Sequence, residues 1–397
     1  MLNFLDARSQ ILAEGKVLGA ESIPLSRAHG RVLAEQLSAS EPLPPFDYSA
    51  MDGYAVRAQD VNERSREGLP LAGESRAGDT VGELEAGTAR RIFTGAALPH
   101  GADAVVIQEN AEQRDGRVFF SGSGVRPFDN VRRAGEDIAQ GAVALEVGTR
   151  LGPFQLGLAA ALDRAQLRVA RRPKLRLFAT GSELRAPGSP RIAGRIPESN
   201  SVALAALATL AGAEVAIDDA VADDLDATTR RFQESFGSCD VLVTVGGVSV
   251  GDHDLVRPAL QAAGATLNFW KVALKPGKPL TFGRAGQTLI LGLPGNPVSA
   301  QITFALFGVP LLRTLQGDAA PLPQTTRVVL ADPLSQKAGR LGLYRARLDG
   351  NRAHVADNQA SGSTLSLAHA DAIVMMPAEL TRCEADEELD AIRLREL

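Results

Sequence analysis

The sequence predicts a multidomain protein in which a parallel-sheet α/β domain is flanked by smaller β-rich units. Residues 173–318 alternate β-branched runs with Ala/Leu-rich helical runs, the pattern of a parallel sheet with crossover helices. Residues 46–139 and 319–397 instead carry short apolar runs between Gly-rich turns, the texture of small β domains. The chain has 397 residues, 45% of them hydrophobic, enough for about two to four separate cores.

Taken in order, residues 1–40 have a helical pattern that starts with the amphipathic stretch MLNFLDARSQILAEG. Pro42, Pro44 and Pro45 enforce an extended link. In 46–139 the candidate strands are 54–56, 92–93, 104–107 and 118–120. Residues 140–172 add an extended piece and a helix over 153–162, with Pro153 in its first turn. This organisation predicts an elongated N-terminal domain (1–45 and 140–172) interrupted by an inserted β-rich domain (46–139). In the α/β domain (173–318), strands are expected at 174–179, 214–218, 240–245 and 288–293. Helices are expected at 199–210, 224–236, 254–263 and 298–315. Ser199 or Asn200 is placed to cap the first helix and Gly212 to stop it. The C-terminal domain (319–397) has candidate strands at 327–330, 343–348, 353–355, 372–376 and 389–393, which suit a small barrel.

Composition excludes several classes. The net charge of -5 and the 5% aromatic content argue against a nucleic-acid partner. Cys239 and Cys383 are too far apart in sequence for a CxxC pair, and no histidine pair has metal-ligand spacing. The N-terminus lacks the basic head and apolar run of a signal peptide. Residues 285–312 carry no charge, but Gly286, Gly292, Pro294, Gly295 and Pro297 interrupt them. They therefore read as a buried strand, a loop and a core helix, with no membrane span and a cytoplasmic location.

Three loops leave the carboxyl ends of the expected strands, where ligands bind in open α/β sheets. They contain Gly181, Ser182 and Glu183; Gly246, Gly247, Ser249 and Asp254; and Pro294, Asn296 and Pro297. Small residues let backbone N–H groups approach an anion. Lys271, Lys275 and Lys278 fall in KVALKPGKP, whose prolines restrict the backbone so that the ammonium groups stay near a compact oxyanion. Glu183, Asp223, Asp224, Asp252 and Asp254 lie near element ends and suit Mg²⁺ shared with phosphate oxygens, although Asp224 and Asp252 are equally good helix caps. There is no Walker A sequence and no GxGxxG after a strand. Residues 247–251 spell GxSxG, but the helix starts only near Asp254, too late for a nucleophile elbow. The residues alone imply an enzyme that gathers a phosphate-containing ligand, Mg²⁺ and a second anion.

Several stretches together resemble the molybdopterin molybdenumtransferases, the family of MoeA and the gephyrin E domain. They are PFDYSAMDGYA from Pro45, FTGA from Phe93, GADAVV from Gly101, RAGED from Arg133, the three sheet-edge loops, and FWK with KPGKP. The resemblance spans nearly the whole chain. It implies an α/β domain like that of molybdopterin adenylyltransferases and a homodimer whose cleft is shared between subunits. It implies that molybdate is inserted into adenylylated molybdopterin with Mg²⁺ and release of AMP. Molybdopterin adenylyltransferase and molybdoenzyme chaperones are further implied partners.

Residue by residue, the resemblance places Asp52, Thr94 and Asp137 in the partner's cleft, with Asp52 or Asp137 positioning the nucleophile. Glu183, Asp223 and Asp254 become metal or phosphate ligands, and Lys271, Lys275 and Lys278 form the molybdate segment. Arg345 and Ser361 become further oxyanion contacts. Gly181, Ser182, Asn200, Gly246, Gly247, Ser249, Pro294, Asn296 and Pro297 become substrate contacts. Ser182 stands where many relatives have Asp, Tyr48 replaces a common Asn, and no Arg follows Asn200. Two rival readings are an adenylyltransferase acting one step earlier with ATP and a non-catalytic scaffold.

Overall fold

The computed structural model describes residues 1–396 except 65, 122–123, 222–223 and 248–254. The expected multidomain architecture is present, with one change in the central sheet.

The α/β domain holds β1 (Lys174–Thr180), α1 (Asn200–Leu210), β2 (Glu214–Val221), α2 (Leu225–Ser235), β3 (Val241–Val245), α3 (Val256–Ala262), β4 (Thr266–Lys271), β5 (Pro279–Ala285), β6 (Thr288–Leu293) and α4 (Pro297–Leu315). Its six strands run in the order β2-β1-β3-β6-β5-β4. The four strands expected from sequence pair in parallel. The sheet is nonetheless mixed, because β5 runs antiparallel to β6 and β4 antiparallel to β5. These added strands carry the residues that flank the lysines. Phe269 and Phe282 are buried and their rings lie 5.8 Å apart, so apolar burial fixes β4 and β5 on the sheet edge.

Helix α4 is apolar and 19 residues long, enough to span a bilayer by length and composition, but 83% of that window is buried inside the protein. It is a core helix. A single π-helical segment (Phe304–Gly308) interrupts it.

The expected helical pattern of residues 1–40 holds over Phe4–Ala13, where Asn3 caps the helix by accepting from the Asp6 N–H at 2.8 Å, and otherwise only in one 3₁₀ turn, Leu25–Arg27. Gly15, Gly19 and Pro24 end further helix, and Ala20–Pro24 is a strand antiparallel to Gln166–Ala170. The N-terminal helix packs into the α/β core. Phe4, Ala7 and Ile11 are buried there, and Phe4 meets Phe307 edge-on at 5.4 Å.

The inserted unit forms a six-stranded sheet. Gly53 begins its strand Gly53–Val56, and a Cβ there would collide with the Val106 carbonyl. This close approach explains the Gly of SAMDGYA. In the C-terminal unit, five strands close on themselves because Leu341–Asp349 pairs with both Arg352–Val355 and Ala372–Met376. A two-residue strand, Leu274–Lys275, adds in parallel to Leu341–Asp349. This ladder pulls the lysine segment of the α/β domain onto the barrel.

Candidate functional site

The three sheet-edge loops converge, as expected, on a cleft of about 540 Å³. Strand β1 delivers Gly181 and Glu183, β3 delivers Gly246 and Gly247, and β6 delivers Pro294, Asn296 and Pro297; all line the cleft. Asn200 ties the first loop to the third by donating from Nδ2 to the Gly295 carbonyl at 2.8 Å. Asn200 is 8% exposed, and its Oδ1 is a buried acceptor without a hydrogen-bond partner. A ligand N–H donor would satisfy it.

Glu198 and Glu183 are the two described carboxylates on the cleft wall. Glu198 is occupied, accepting from the backbone N–H groups of Asn200 and Ser201 at 2.7 and 3.0 Å. It therefore caps α1, a role expected of Ser199 or Asn200. Ser199 makes no side-chain cap bond. Glu183 is exposed to the cleft, whereas Ser182 is exposed but does not line it. Asp224 caps α2 by accepting from the Ala227 N–H. Asp223, Ser249, Asp252 and Asp254 lie outside the described residues. Among the described residues no group of three or more His, Cys, Asp or Glu side chains is arranged to hold a metal. Glu183 alone fits the habit of Mg²⁺, which combines one or two carboxylates with phosphate oxygens.

A second cavity of about 320 Å³ adjoins the first at Pro279, which lines both. Lys275, Lys278 and Arg340 bring three cations to it, with Ser299, Gln359 and Ser361 as polar neighbours and no carboxylate in the lining. Both lysines are exposed, and among the described residues none of the three cations has an ion-pair partner. Gly277 shapes the floor. Its φ is +106°, and a Cβ there would lie 2.5 Å from the buried Thr303 Oγ1. Only glycine fits this backbone and this approach.

The direct oxyanion contact expected of Arg345 is not part of this lining. Arg345 is 0% exposed, and its guanidinium donates to Ser366 Oγ and to the Asn358 and Ala360 carbonyls. It holds the loop that carries Gln359 and Ser361, and that loop is docked on α4 by the Val298 N–H donating to the Ser361 carbonyl. Nη1 of Arg345 remains a buried donor without a partner. Burial alone pushes this guanidinium below its ordinary range. Lys271 lies opposite Pro279 in the β4–β5 ladder, beside Lys278, but it lines a groove with Met1, Leu2 and Trp270 and neither of the two cavities. Arg340, Ser299 and Gln359 were missed by sequence reasoning. Arg340 had one available signal, a cation in the turn just before a candidate strand.

The acidic motif residues gather elsewhere, on the inserted domain. Asp52 Oδ1 accepts from Thr94 N and Thr94 Oγ1 at 2.8 and 2.9 Å. These two bonds, with a smaller contribution from the Arg91 charge, hold its carboxyl below the usual aspartate range. Asp137 is paired with Arg132 at 2.8 Å, and Arg132 lies opposite Tyr48 in a two-residue ladder. The Asp47 carboxylate accepts from the Ala134 N–H, and the Gly95 N–H donates to the Ser49 carbonyl. The stretches PFDYSAMDGYA, FTGA and RAGED thus meet on one edge. None of Asp52, Thr94 and Asp137 lines either cavity of the same chain.

Fold and site together define a class: a multidomain α/β protein whose sheet-edge cleft adjoins a pocket lined by three cations and no carboxylate. Comparison with known proteins makes this specific. Residues 2–162 match the MoeA N-terminal region (domain I and II), 176–314 a probable molybdopterin binding domain, and 327–394 the MoeA C-terminal region (domain IV). The chain is 38% identical over 350 residues to a molybdopterin molybdenumtransferase of Haemophilus influenzae, covering 87% of this chain and 85% of the relative. It is 37% identical to molybdopterin molybdenumtransferase 2 of Mycobacterium tuberculosis, covering 93% of each. The molybdopterin biosynthesis MoeA protein of Pyrococcus horikoshii superposes with a TM-score of 0.87 at 27% identity, covering 99% of this chain and 100% of that one. The chain belongs to the molybdopterin molybdenumtransferase (MoeA) family.

Proposed function

We propose that this protein inserts molybdate into adenylylated molybdopterin, a late step of molybdenum cofactor assembly, and releases AMP. The observation that carries the reading is the adjoining pair of cavities: a cleft at the sheet edge lined by the three loops, and a pocket with three cations and no carboxylate. Adenylylated molybdopterin occupies the cleft, with Asn200 Oδ1 and the loop backbones as contacts. Molybdate occupies the pocket. Fixed positive charge there reduces the repulsion between two anions brought side by side.

A molybdate or water oxygen then attacks the adenylate phosphorus. The bond from that phosphorus to the bridging oxygen breaks, the molybdopterin phosphate keeps the bridging oxygen, and AMP leaves with the attacking oxygen. Where that oxygen is molybdate's, its Mo–O bond breaks as the dithiolene sulfurs bond molybdenum and the two thiol protons pass to solvent. Lys275 and Lys278 hold molybdate next to the reacting centre. Arg345 and Gln359 keep Ser361 in place on the pocket wall. Glu183 would hold Mg²⁺ together with substrate phosphate oxygens, and the ion would supply charge neutralisation at the phosphoanhydride.

The protein acts as a cytoplasmic homodimer in which Asp52, Thr94 and Asp137 complete the partner's cleft. Support for an interface comes from the helix Pro153–Ala161, which buries only Ala159 and leaves Phe154 88% exposed. An exposed apolar helix face of this kind marks an association surface. The test is AMP release by the purified full chain from adenylylated molybdopterin, with and without molybdate. Molybdate-dependent release is expected. Release from ATP and molybdopterin without molybdate would instead favour an adenylyltransferase, and no release at all a scaffold.

A further inference from the structure

The Asp52–Thr94 pair has a feature that its motif does not explain. Both bonds from Thr94 fall on Oδ1 of Asp52. Oδ2 accepts no hydrogen bond among the described residues. The charge of Arg91 acts on Asp52, yet Arg91 does not pair with that oxygen. Its guanidinium is committed elsewhere. Nη2 donates to Gln108 Oε1 at 2.7 Å and Nη1 reaches the Gly53 carbonyl at 3.4 Å. The same group lies 5.0 Å from the centre of the Tyr54 ring and 5.1 Å from that of Phe93. Tyr54 is the strand partner of Arg91.

Each of these partners adjoins the pair. Gly53 follows Asp52, Phe93 precedes Thr94, and the Gln108 N–H donates to the Asp52 carbonyl at 3.0 Å. Arg91 therefore touches the chain on both sides of the Asp52–Thr94 contact. On its far side Gln108 donates to Glu109 at 3.3 Å, so the arrangement also meets the Glu109 carboxylate.

We propose that Arg91 is a positioning residue: held by two aromatic rings and Gln108, it fixes the Asp52–Thr94 pair while leaving Asp52 Oδ2 open to orient the attacking oxygen. Arg91 supplies positive charge near the carboxylate without capping it. A planar guanidinium suits this task, because it stacks on rings and donates in a fixed fork. The proposal rests on the reading that this edge serves the transfer reaction. It also separates the two candidate acids. Each acid keeps its Oδ2 free, but Asp137 is bonded directly by the Arg132 guanidinium, whereas the charge of Arg91 acts on Asp52 without a bond, so Asp52 is the acid assigned to position the nucleophile.

The test uses full-length R91M, R91K and Q108A proteins. The readouts are the pH profile of molybdate-dependent AMP release and the Asp52 carboxyl titration, followed by ¹³C NMR and assigned with D52N. In R91M, kcat is expected to fall about ten- to a hundred-fold through lost alignment, and the Asp52 titration and the acid limb both move to higher pH. R91K keeps the charge and returns the titration towards wild type, but lacks the fork and recovers only part of kcat. Q108A frees Arg91 to close on Oδ2, so the titration moves to lower pH while kcat still falls. Should R91M fail to fold, the Q108A shift carries the test. An Asp52 titration unchanged in both R91M and Q108A would overturn the proposal. Wild-type turnover in D52N would remove the catalytic reading of Asp52 while leaving the NMR shifts intact, which distinguishes the two failures.

Discussion

The lysine pocket and the Asp52 edge are both charged, and they are built in opposite ways. Around the pocket, Lys275, Lys278 and Arg340 have no ion-pair partner among the described residues, and the lining holds no carboxylate. On the edge, Asp52 is fixed by Thr94 and Asp137 by Arg132. Unpaired like charges cost stability, so a pocket that keeps them is one whose counter-charge arrives with the ligand. Acids already bonded have their orientation set by the protein before any ligand binds. Under the proposed function the first region binds an anion and the second aligns one.

This contrast predicts a hierarchy of effects. The largest belongs to Lys275→Ala, which should lower molybdate-dependent AMP release by about 100- to 1000-fold, the usual range for loss of one preorganised charge contact. Adenylylated molybdopterin should still bind, as equilibrium dialysis would check. Asp52→Asn should show the converse pattern, with molybdate binding kept and turnover lost. If both variants lose the same property, the division between binding and aligning regions fails.

Next comes Gly277→Ala. The added methyl meets Thr303 Oγ1 in a left-handed backbone, so the variant should lose about 1–2 kcal/mol of stability. Molybdate affinity should fall with it, because the floor between Lys275 and Lys278 must shift.

A pH experiment sharpens the comparison on the acidic side. The Asp52 carboxyl is held below its ordinary value by Thr94 and then by Arg91. A depressed acid stays ionised at neutral pH and is lost only as pH falls through its folded value. Turnover should therefore show no Asp52-linked decline until below about pH 4, the ordinary aspartate range. Removing the Thr94 hydroxyl with Thr94→Val should raise that limit.

The smallest effect concerns a pair that serves neither region. Burial pushes the Asp240 carboxyl up, but bonds from Arg171 at 2.7 and 2.8 Å and from the Lys174 N–H outweigh it and hold it low. Its stabilising contribution is present above the unfolded pKa and lost as pH falls through the lower folded one. Asp240→Asn should cost about 1 kcal/mol at pH 7 by thermal unfolding, since Arg171 is partly exposed. The difference from wild type should vanish in acid, with activity otherwise unchanged.

Much of this was legible in the sequence, for stated reasons. Strand β6 and strand Ala372–Met376 coincide with their expected bounds because continuous apolar runs between turn residues leave little choice. The three sheet-edge loops were readable because their glycines and prolines sit at strand ends. Strands β4 and β5 were not, since KVALKPGKP draws the eye to the loop between them: it starts at the last residue of β4, and β5 begins with the second Pro of KPGKP. The strand Ala20–Pro24 was hidden because its partner, Gln166–Ala170, lies far along the chain. The buried role of Arg345 was unreadable for a similar reason. An arginine in a strand gives no sign of which carbonyls it will meet. Arg340 depended on a two-residue ladder, Leu274–Lys275 with Leu341–Gly342, that joins two domains.

The most direct test of a binding pocket opposed to an aligning edge is molybdate affinity itself, measured by calorimetry on the full chain without nucleotide. Replacing Lys275 and Lys278 together by alanine should weaken molybdate at least about tenfold, the effect of 1.4 kcal/mol, and Asp52→Asn should leave the affinity unchanged. Equal affinity in wild type and the double lysine variant, or a loss confined to Asp52→Asn, would contradict the account.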